Sequence, residues 1–151
     1  MRDLPWTHTF DGAICLWASF GYFDDEGNRA FLEAVAGTLK PGARFVLETP
    51  IVETVFQHFQ VRERRWNRRG DVLLLEHWRY DFRQSQLERH WTYVQRGTIT
   101  ERQMVLRLYT YRELCDVLES VGFEQFEGYD AGTKQPFAVG SALLLLAMNK
   151  A

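Results

Sequence analysis

The sequence predicts an α/β protein in which a strand–helix–strand unit and a C-terminal strand pair flank an antiparallel insertion. Apolar strand patterns at 10–17 and 43–48, with a helical pattern between them, indicate the strand–helix–strand unit. Aromatic and polar residues alternate between 61 and 108, which is typical of antiparallel strands with one face in water. A chain of 151 residues can bury a sizeable core, so we expect a single domain over 1–151.

The first unit begins with the almost continuously apolar strand 10–17, which should be covered on both faces in a parallel sheet. The acidic residues 24–26 supply an N-cap and favourable charge for a helix start, and the Lys-Pro-Gly sequence at 40–42 predicts its end. The strand 43–48 follows this turn. Because the loops are short, the two strands should be parallel with a right-handed crossover.

The antiparallel insertion is predicted over 51–109, beginning with a short helix at 51–59. In one of its strands Trp78, Tyr80 and Phe82 fall on one face, and the residues between them are polar. The candidate strands cover 61–68, 72–82, 87–94 and 104–108. Such a meander exposes one face to water.

The C-terminal part begins with a helix whose start and end are both predicted by capping residues. Thr110 and Glu113 have the spacing of a capping box, and Gly122 is suited to the position just after the helix. Two strands follow at 123–129 and 141–149. The second is apolar enough to lie inside the sheet.

Composition argues against several classes of function. A net charge of −2 provides no field that would attract nucleic acid or an anionic membrane. The longest apolar run, 142–148, is far shorter than the ~20 residues of a transmembrane helix. The four histidines show no metal-ligand spacing, and Cys15 and Cys115 lie in apolar patterns typical of reduced core cysteines. We therefore expect a cytoplasmic protein without a metal site or a membrane contact.

One basic segment needs a separate explanation. Residues 62–69 carry five arginines around Trp66, a combination that suits phosphate contacts and base stacking. Alternation places these arginines on both faces of a strand, however. We favour a solvated edge strand whose charges oppose further pairing, with nucleic-acid binding as the less favoured alternative.

Two blocks of the sequence resemble class I S-adenosylmethionine (SAM)-dependent methyltransferases. The block 1–50 holds the turn Met-Arg-Asp-Leu-Pro, the strand Ala-Ile-Cys-Leu-Trp, the loop Ser-Phe-Gly-Tyr-Phe and the Lys-Pro-Gly turn. The block 106–149 holds the capped helix and its Gly-Phe exit into the last strand pair. The resemblance implies a partial Rossmann-like sheet with the family's strand order 4-5-7-6, in which the fourth and fifth strands are parallel and the seventh is antiparallel. It also implies SAM as cofactor, a small-molecule acceptor, and a meander that covers the acceptor.

The resemblance begins in the middle of the family pattern. The family's opening turn usually reads Asp-Met-Arg-x-Leu-Pro, and its Asp lies against the adenine of the cofactor. This sequence begins on the Met and contains neither that Asp nor the glycine-rich cofactor loop. We therefore expect weak or absent SAM binding by these 151 residues alone. Two explanations stay open: an internal Met taken as the start of a longer enzyme, or a catalytically inactive remnant that serves as a binding or regulatory module.

The cofactor contacts that the resemblance implies fall on two segments. Met1 and Arg2 belong to the opening turn. Leu16 and Trp17 lie at the carboxyl end of the first strand, where main-chain groups would touch the methionyl part of SAM.

The acceptor contacts implied by the resemblance are Ser19, Phe20, Tyr22 and Arg107. Tyr22 is the candidate catalytic residue, because its hydroxyl can orient an amine or hydroxyl acceptor. The alternative for Tyr22 is an aromatic packing role under the insertion. Arg107 could point at the acceptor or pair with Glu113.

The sequence also carries an expectation about assembly. Strand 13–17 would normally pair with the family's first strand, which this sequence does not contain. Its edge would then be apolar and unpaired. We therefore expect a homodimer or larger assembly that covers this edge.

Overall fold

A computed structural model describes residues 4–57 and 63–151, and the described chain forms two four-stranded sheets and three helices. The elements are, in chain order, β1 (Phe10–Cys15), α1 (Asp25–Thr38), β2 (Leu39–Thr49), α2 (Val52–Phe56), β3 (Arg64–Arg69), β4 (Val72–Asp81), β5 (Gln86–Gln95), β6 (Thr98–Arg107), α3 (Tyr111–Ser120), β7 (Phe123–Asp130) and β8 (Leu144–Lys150). The predicted cofactor residues Met1 and Arg2, and part of the predicted helix 51–59, lie outside the described residues.

The first sheet has the order β1-β2-β8-β7. β1 and β2 run parallel, whereas β8 is antiparallel to both of its neighbours. These are the order and directions predicted for strands 4-5-7-6. The helices α1 and α3 supply the apolar side chains that pack with this sheet into the larger core. The core members with 0% exposure are Leu32, Leu39, Leu47, Ile51, Leu114, Leu118, Leu144, Leu146 and Met148.

The start of β2 differs from the prediction. The Lys-Pro-Gly segment at 40–42 lies inside β2, not in a turn before it. Phe10 of β1 is paired with Leu39, and Gly12 is paired with Arg44, so the residues between these partners bulge out of the ladder. Proline has no N–H to give to a strand partner, which explains the bulge.

The two main helices begin as their sequences predict. The Asp24 side chain accepts a hydrogen bond from Gly27 N at 2.8 Å and caps α1. At α3, Thr110 and Glu113 form the reciprocal capping box. Gly122 follows α3 with a φ of +90°, the left-handed conformation that a helix exit favours.

The second sheet is the predicted antiparallel meander, in the order β3-β4-β5-β6. β3 is its exposed edge strand, as the arginine pattern indicates. His77 of β4 lies directly opposite His90 of β5. β6 begins at Thr98, earlier than the predicted 104, because Arg96 and Gly97 both have positive φ and form a two-residue hairpin.

The two sheets meet at Gly21, in the loop between β1 and α1. Arg107 N, at the end of β6, donates a hydrogen bond to Gly21 O at 2.8 Å. Gly21 has a φ of +97°, and a Cβ atom there would lie 2.8 Å from the Arg107 carbonyl oxygen and 3.1 Å from Leu106 Cδ1. Only glycine permits this approach without displacement of β6.

A buried polar cluster centred on Asn28 reinforces the junction. Asn28 Nδ2 donates to the Phe23 carbonyl at 2.8 Å and to the Tyr109 hydroxyl at 3.2 Å. The Tyr109 hydroxyl donates to Asp25 Oδ1 at 3.1 Å. Burial, aided by the nearby Asp25 charge, raises the pKa of Tyr109 to about 12. The loop, α1 and the chain after β6 are thus joined by one hydrogen-bond network.

β1 lies at the edge of the first sheet, and no described strand pairs with its outer side. Phe10 and Ile14 on this strand are exposed, Ile14 by 71%, so the prediction that the strand is covered on both faces is wrong. Among the described strands β1 thus has one unpaired side, and the assembly that would cover it stays a prediction.

None of the helices in the described ranges is long and apolar enough to cross a membrane.

Replacing Gly21 with alanine should destabilise the fold by about 1–3 kcal/mol, because the left-handed backbone and the contact with Arg107 O both oppose a Cβ atom. Urea unfolding followed by circular dichroism measures the loss. Gly37→Ala is the matched control: its site lies in α1 with nothing within 4 Å of the added Cβ. The control should be neutral or gain about 0.5–1 kcal/mol. Equal stability of the two variants would contradict the proposed role of Gly21.

Tyr109→Phe should change the pH dependence of stability above pH ~10. The pKa of Tyr109 is raised from 10.0 in the unfolded chain to about 12 in the fold. The unfolded chain therefore loses the proton first, and wild-type stability should fall as pH rises from ~10 to ~12, by up to ~2 kcal/mol. The phenylalanine variant lacks this part of the decline.

Urea unfolding of both proteins between pH 8 and pH 11.5 tests the Tyr109 prediction, and the free-energy difference between them should shrink as pH rises. Tyr129→Phe, on β7, controls for the loss of one tyrosine hydroxyl outside the buried network. A difference between wild type and Tyr109→Phe that stays constant with pH would contradict the prediction.

Candidate active site

A cavity of about 430 Å³ opens between the two sheets, at the carboxyl ends of β1 and β2. It is lined by the loop after β1, the start of α2, one face of the meander and the segment before β8. The lining residues are Trp17, Ala18, Tyr22, Pro50, Thr54, Val55, Arg65, Trp78, Leu87, Arg89, Met104, Leu106, Ala142 and Leu143. A hollow of about 440 Å³ also exists beside Trp66 and His77, which lie on the opposite face of the meander, and Arg65 and Glu76 contribute to its lining. Ligands of open α/β sheets bind beyond the carboxyl ends of the strands, which favours the first cavity.

The loop that enters the cavity has an unusual backbone. Trp17 and Ala18 have φ values of +62° and +52°, the left-handed region that residues with a side chain rarely adopt. Trp17 N donates to Glu48 Oε1 at 3.0 Å, and Ser19 Oγ donates to the Leu16 carbonyl at 2.7 Å. The Trp17 ring is held 87% exposed beside the cavity. Backbone strain of this kind is concentrated at functional sites.

Tyr22 lies in the cavity wall with about half of its side chain exposed. Its hydroxyl donates a hydrogen bond to the Met104 sulfur of β6 at 3.2 Å. A thioether sulfur is a weak acceptor, so a ligand oxygen or nitrogen could replace it at little cost. The candidate catalytic hydroxyl therefore lies where a molecule held between the two sheets could reach it.

Phe20 does not line the cavity. Only 2% of its surface is exposed, and its ring packs against Tyr109 and Phe31 at centroid distances of 5.7 and 6.1 Å. The sequence prediction placed Phe20 on the acceptor side. The structure instead places Phe20 in the core, where its contacts with Tyr109 and Phe31 anchor the loop.

Arg107 also differs from its predicted acceptor role. Its Nε lies 2.8 Å from Asp25 Oδ1, and its Nη2 lies 3.6 Å from Glu113 Oε1. Its guanidinium lies 4.3 Å from the Tyr109 ring centroid. These contacts are in a separate cleft beside α3. The alternative, pairing with Glu113, is the one observed. Arg107 thereby links the meander to α1 through Asp25 and to α3 through Glu113.

Sequence reasoning missed a charge cluster at the cavity, in which Arg65 and Arg89 line the cavity and Glu76 lies behind them. Glu76 of β4 is 7% exposed, accepts a hydrogen bond from Arg65 Nε, and accepts another from Trp91 Nε1 at 2.9 Å. Arg89 Nη2 lies 3.8 Å from the same carboxylate. Burial alone would raise the pKa of Glu76, but the hydrogen bonds and the two arginine charges outweigh it and lower the pKa. Glu76 is therefore ionised at neutral pH.

The Arg89 guanidinium is stacked between two indole rings. It lies 4.3 Å from the Trp78 ring centroid and 4.7 Å from that of Trp91. Stacking and the Glu76 carboxylate fix its position on the cavity floor. The available sequence signal was the alternation in β4, which puts Glu76 on the same face as Trp78 and Tyr80. A charge on an aromatic face requires a partner or a ligand.

The described residues contain no group of three or more histidine, cysteine, aspartate or glutamate side chains that could hold a metal ion.

Comparison with solved structures identifies the fold. A SAM-dependent methyltransferase from Clostridium acetobutylicum superposes with a TM-score of 0.83 at 13% sequence identity, over 99% of this chain and 62% of that one. The CcbJ methyltransferase from Streptomyces caelestis gives 0.82 at 15% identity, over 95% of this chain and 62% of that one. SAM-bound CalS10, an amino pentose methyltransferase from Micromonospora echinaspora, gives 0.67 at 19% identity, over 99% and 62%.

No protein-family model matches the chain, and no curated protein matches it in sequence. The chain spans 62% of the length of each of the three solved structures. Agreement at such low identity concerns the fold, which the sheet order supports independently. The chain has the architecture of the class I SAM-dependent methyltransferase fold, from the strand that corresponds to the family's fourth onward.

Proposed function

We propose that this chain forms the acceptor-binding part of a SAM-dependent methyltransferase that acts on a small molecule. The observation that carries the proposal is the cavity, which lies at the carboxyl ends of β1 and β2 and has Tyr22 in its wall. Its volume of about 430 Å³ is in the range of small-molecule sites. Residues of the meander form one side of the cavity lining, which supports the covering role that the resemblance implies.

The structural neighbours support the small-molecule class. CalS10 is an amino pentose methyltransferase, and KedS8, another neighbour with a TM-score of 0.63, is a sugar N-methyltransferase. KedS8 is 17% identical to this chain and is matched over 99% of it. For this chain, the acceptor class is inferred from the shared fold together with the size of the cavity.

The residues of the loop after β1 fit one end of SAM. The exposed Trp17 ring and the main-chain groups of Leu16 and Trp17 can pack against the methionyl part. When bound, SAM supplies a methyl group on a positively charged sulfur. The chain's own contribution is to align the acceptor and exclude water, because proximity and orientation are the main source of rate enhancement in such transfers. Tyr22 would hold the acceptor nitrogen or oxygen through its hydroxyl.

Titration of the 15N-labelled chain with SAM tests the proposal by NMR. Binding should be weak, in the millimolar range, with amide shifts concentrated in the loop residues 16–22. ATP is the matched probe, because it shares adenosine with SAM but lacks the methionyl part. Shifts of the same amides with ATP, or SAM-induced shifts elsewhere in the chain, would contradict the proposal and favour an inactive binding module.

Tyr22→Phe provides the second arm of this experiment. In any preparation with measurable methyl transfer from SAM, the variant should lower turnover about tenfold or more, because acceptor orientation is lost. The SAM-induced shifts should be unchanged. Tyr129→Phe serves as the control. Unchanged turnover in Tyr22→Phe would return Tyr22 to a packing role.

We also propose that the chain self-associates through the region of β1. Ile14→Lys should reduce association without loss of the fold, since this side chain is 71% exposed and a lysine near the edge opposes pairing. Sedimentation velocity over a concentration series measures the change. Val139→Lys, at a fully exposed apolar residue before β8, adds the same charge elsewhere. A wild-type monomer at all concentrations would contradict the proposal.

A further inference from the structure

The cavity carries an uneven charge. Among the described residues that line it, the charged side chains are Arg65 and Arg89, and both come from the meander. Two acidic residues of the first sheet contact the backbone of lining residues: Glu48 Oε1 accepts from Trp17 N, and Asp130 Oδ2 accepts from Ala142 N. The charge at the cavity surface is therefore positive.

Glu76 balances only part of this charge. One carboxylate lies against two guanidinium groups, since it accepts the Arg65 Nε hydrogen bond and has Arg89 Nη2 at 3.8 Å. Its lowered pKa keeps it at a single negative charge at neutral pH. The cluster thus retains one net positive charge, carried by guanidinium groups that solvent and a ligand can reach, since the side chains of Arg65 and Arg89 are 46% and 27% exposed.

The donors of the two arginines are suited to a carboxylate. A guanidinium has five N–H donors in a rigid fork, and Arg65 uses Nε for Glu76, which leaves its terminal nitrogens for a ligand. Arg89 is fixed by stacking between Trp78 and Trp91, so it loses little side-chain freedom when it binds.

The remaining lining is apolar. Val55, Leu87, Met104, Leu106 and Leu143 surround the two arginines. Such a surface favours a ligand whose body is apolar and whose charge is confined to one end. A carboxylate monoanion would neutralise the single excess charge, whereas a phosphate dianion would leave one negative charge uncompensated in the cavity.

We infer that the small-molecule acceptor is an apolar compound that bears a carboxylate, and that Arg65 and Arg89 bind this carboxylate. The inference rests on the proposed assignment of the cavity as the acceptor site. It makes the two arginines the residues that select the acceptor, with Glu76 as the residue that positions them.

Three probes of nearly equal size test the inference without SAM: phenylacetate, phenylacetamide and phenethylamine. NMR titration of the 15N-labelled chain reports binding through the indole N–H signals of Trp78 and Trp91. Phenylacetate should bind at least tenfold more tightly than phenylacetamide, because it makes charged hydrogen bonds. Phenethylamine should bind most weakly. Equal affinity for the acid and the amide, or a preference for the amine, would overturn the inference.

Substitutions test whether Arg65 and Arg89 are the residues that bind the carboxylate. Arg65→Gln and Arg89→Gln should each remove most of the preference for phenylacetate, and Arg89→Lys should retain part of it. Arg64→Gln is the matched control, since Arg64 is the neighbouring arginine of β3 and lines the hollow on the opposite face. An equal loss in Arg64→Gln would show that general surface charge is responsible and would overturn the assignment.

The comparison of probes on the wild-type chain keeps the inference testable where a variant does not fold. Failure of phenylacetate to bind overturns the acceptor class alone. SAM-induced shifts outside 16–22, or equal shifts of these amides with ATP, overturn the proposed methyltransferase function. Phenylacetate binding would then still show a carboxylate site in the cavity, because the two titrations use different ligands and different signals.

Discussion

The close approach of β6 to the loop after β1 is the constraint on which the site depends. The two backbones meet at Gly21, where Arg107 N is 2.8 Å from Gly21 O and no Cβ atom can be accommodated. The cavity has one wall from the first sheet and a floor from the second. Its shape therefore follows from this backbone contact more than from any side chain within it.

The buried Asn28 cluster makes this contact rigid. A satisfied buried polar network fixes one arrangement, since any displacement leaves donors and acceptors unpaired in a medium that cannot replace them. Asn28 contacts the loop at Phe23 and the chain after β6 at Tyr109. The bond from Tyr22 to Met104 crosses the same gap at the cavity surface. The Asn28 network thus holds the junction rigid, whereas the hydrogen bond from Tyr22 to Met104 at the cavity surface is weak and can be replaced by a bond to a ligand.

The parts of the fold that were predictable are those that depend on local pattern. Caps such as Asp24 and Thr110 and the apolar periodicity of the first sheet are set by neighbouring residues. The first half of β6 lacks apolar alternation, and its hairpin at 96–97 depends on backbone conformations that the pattern does not show. The bulge at 40–43 depends likewise on pairing with β1.

Only the part of the site that the family resemblance covers, the loop after β1, could be predicted from the sequence. Tyr22 and Trp17 lie at the cavity, because their positions follow from a strand and the loop after it. Phe20 and Arg107 are adjacent to such positions, and whether they face the cavity or the core depends on the rotation of a few loop residues. The cluster of Arg65, Glu76 and Arg89 needs the register of three strands, which alternation alone does not give.

The energetics of that cluster favour a functional origin. Burying the Glu76 carboxylate costs desolvation that its attraction to two partly exposed guanidinium groups barely offsets, and apolar replacements of buried ion pairs are often neutral or stabilising. The neighbouring positions on the same face of the sheet, Leu74 and Leu87, show that aliphatic side chains fit there. Stability therefore gives little reason to keep three charges at this place. Binding of an anionic ligand provides such a reason, because the ligand neutralises the excess guanidinium charge when it is bound.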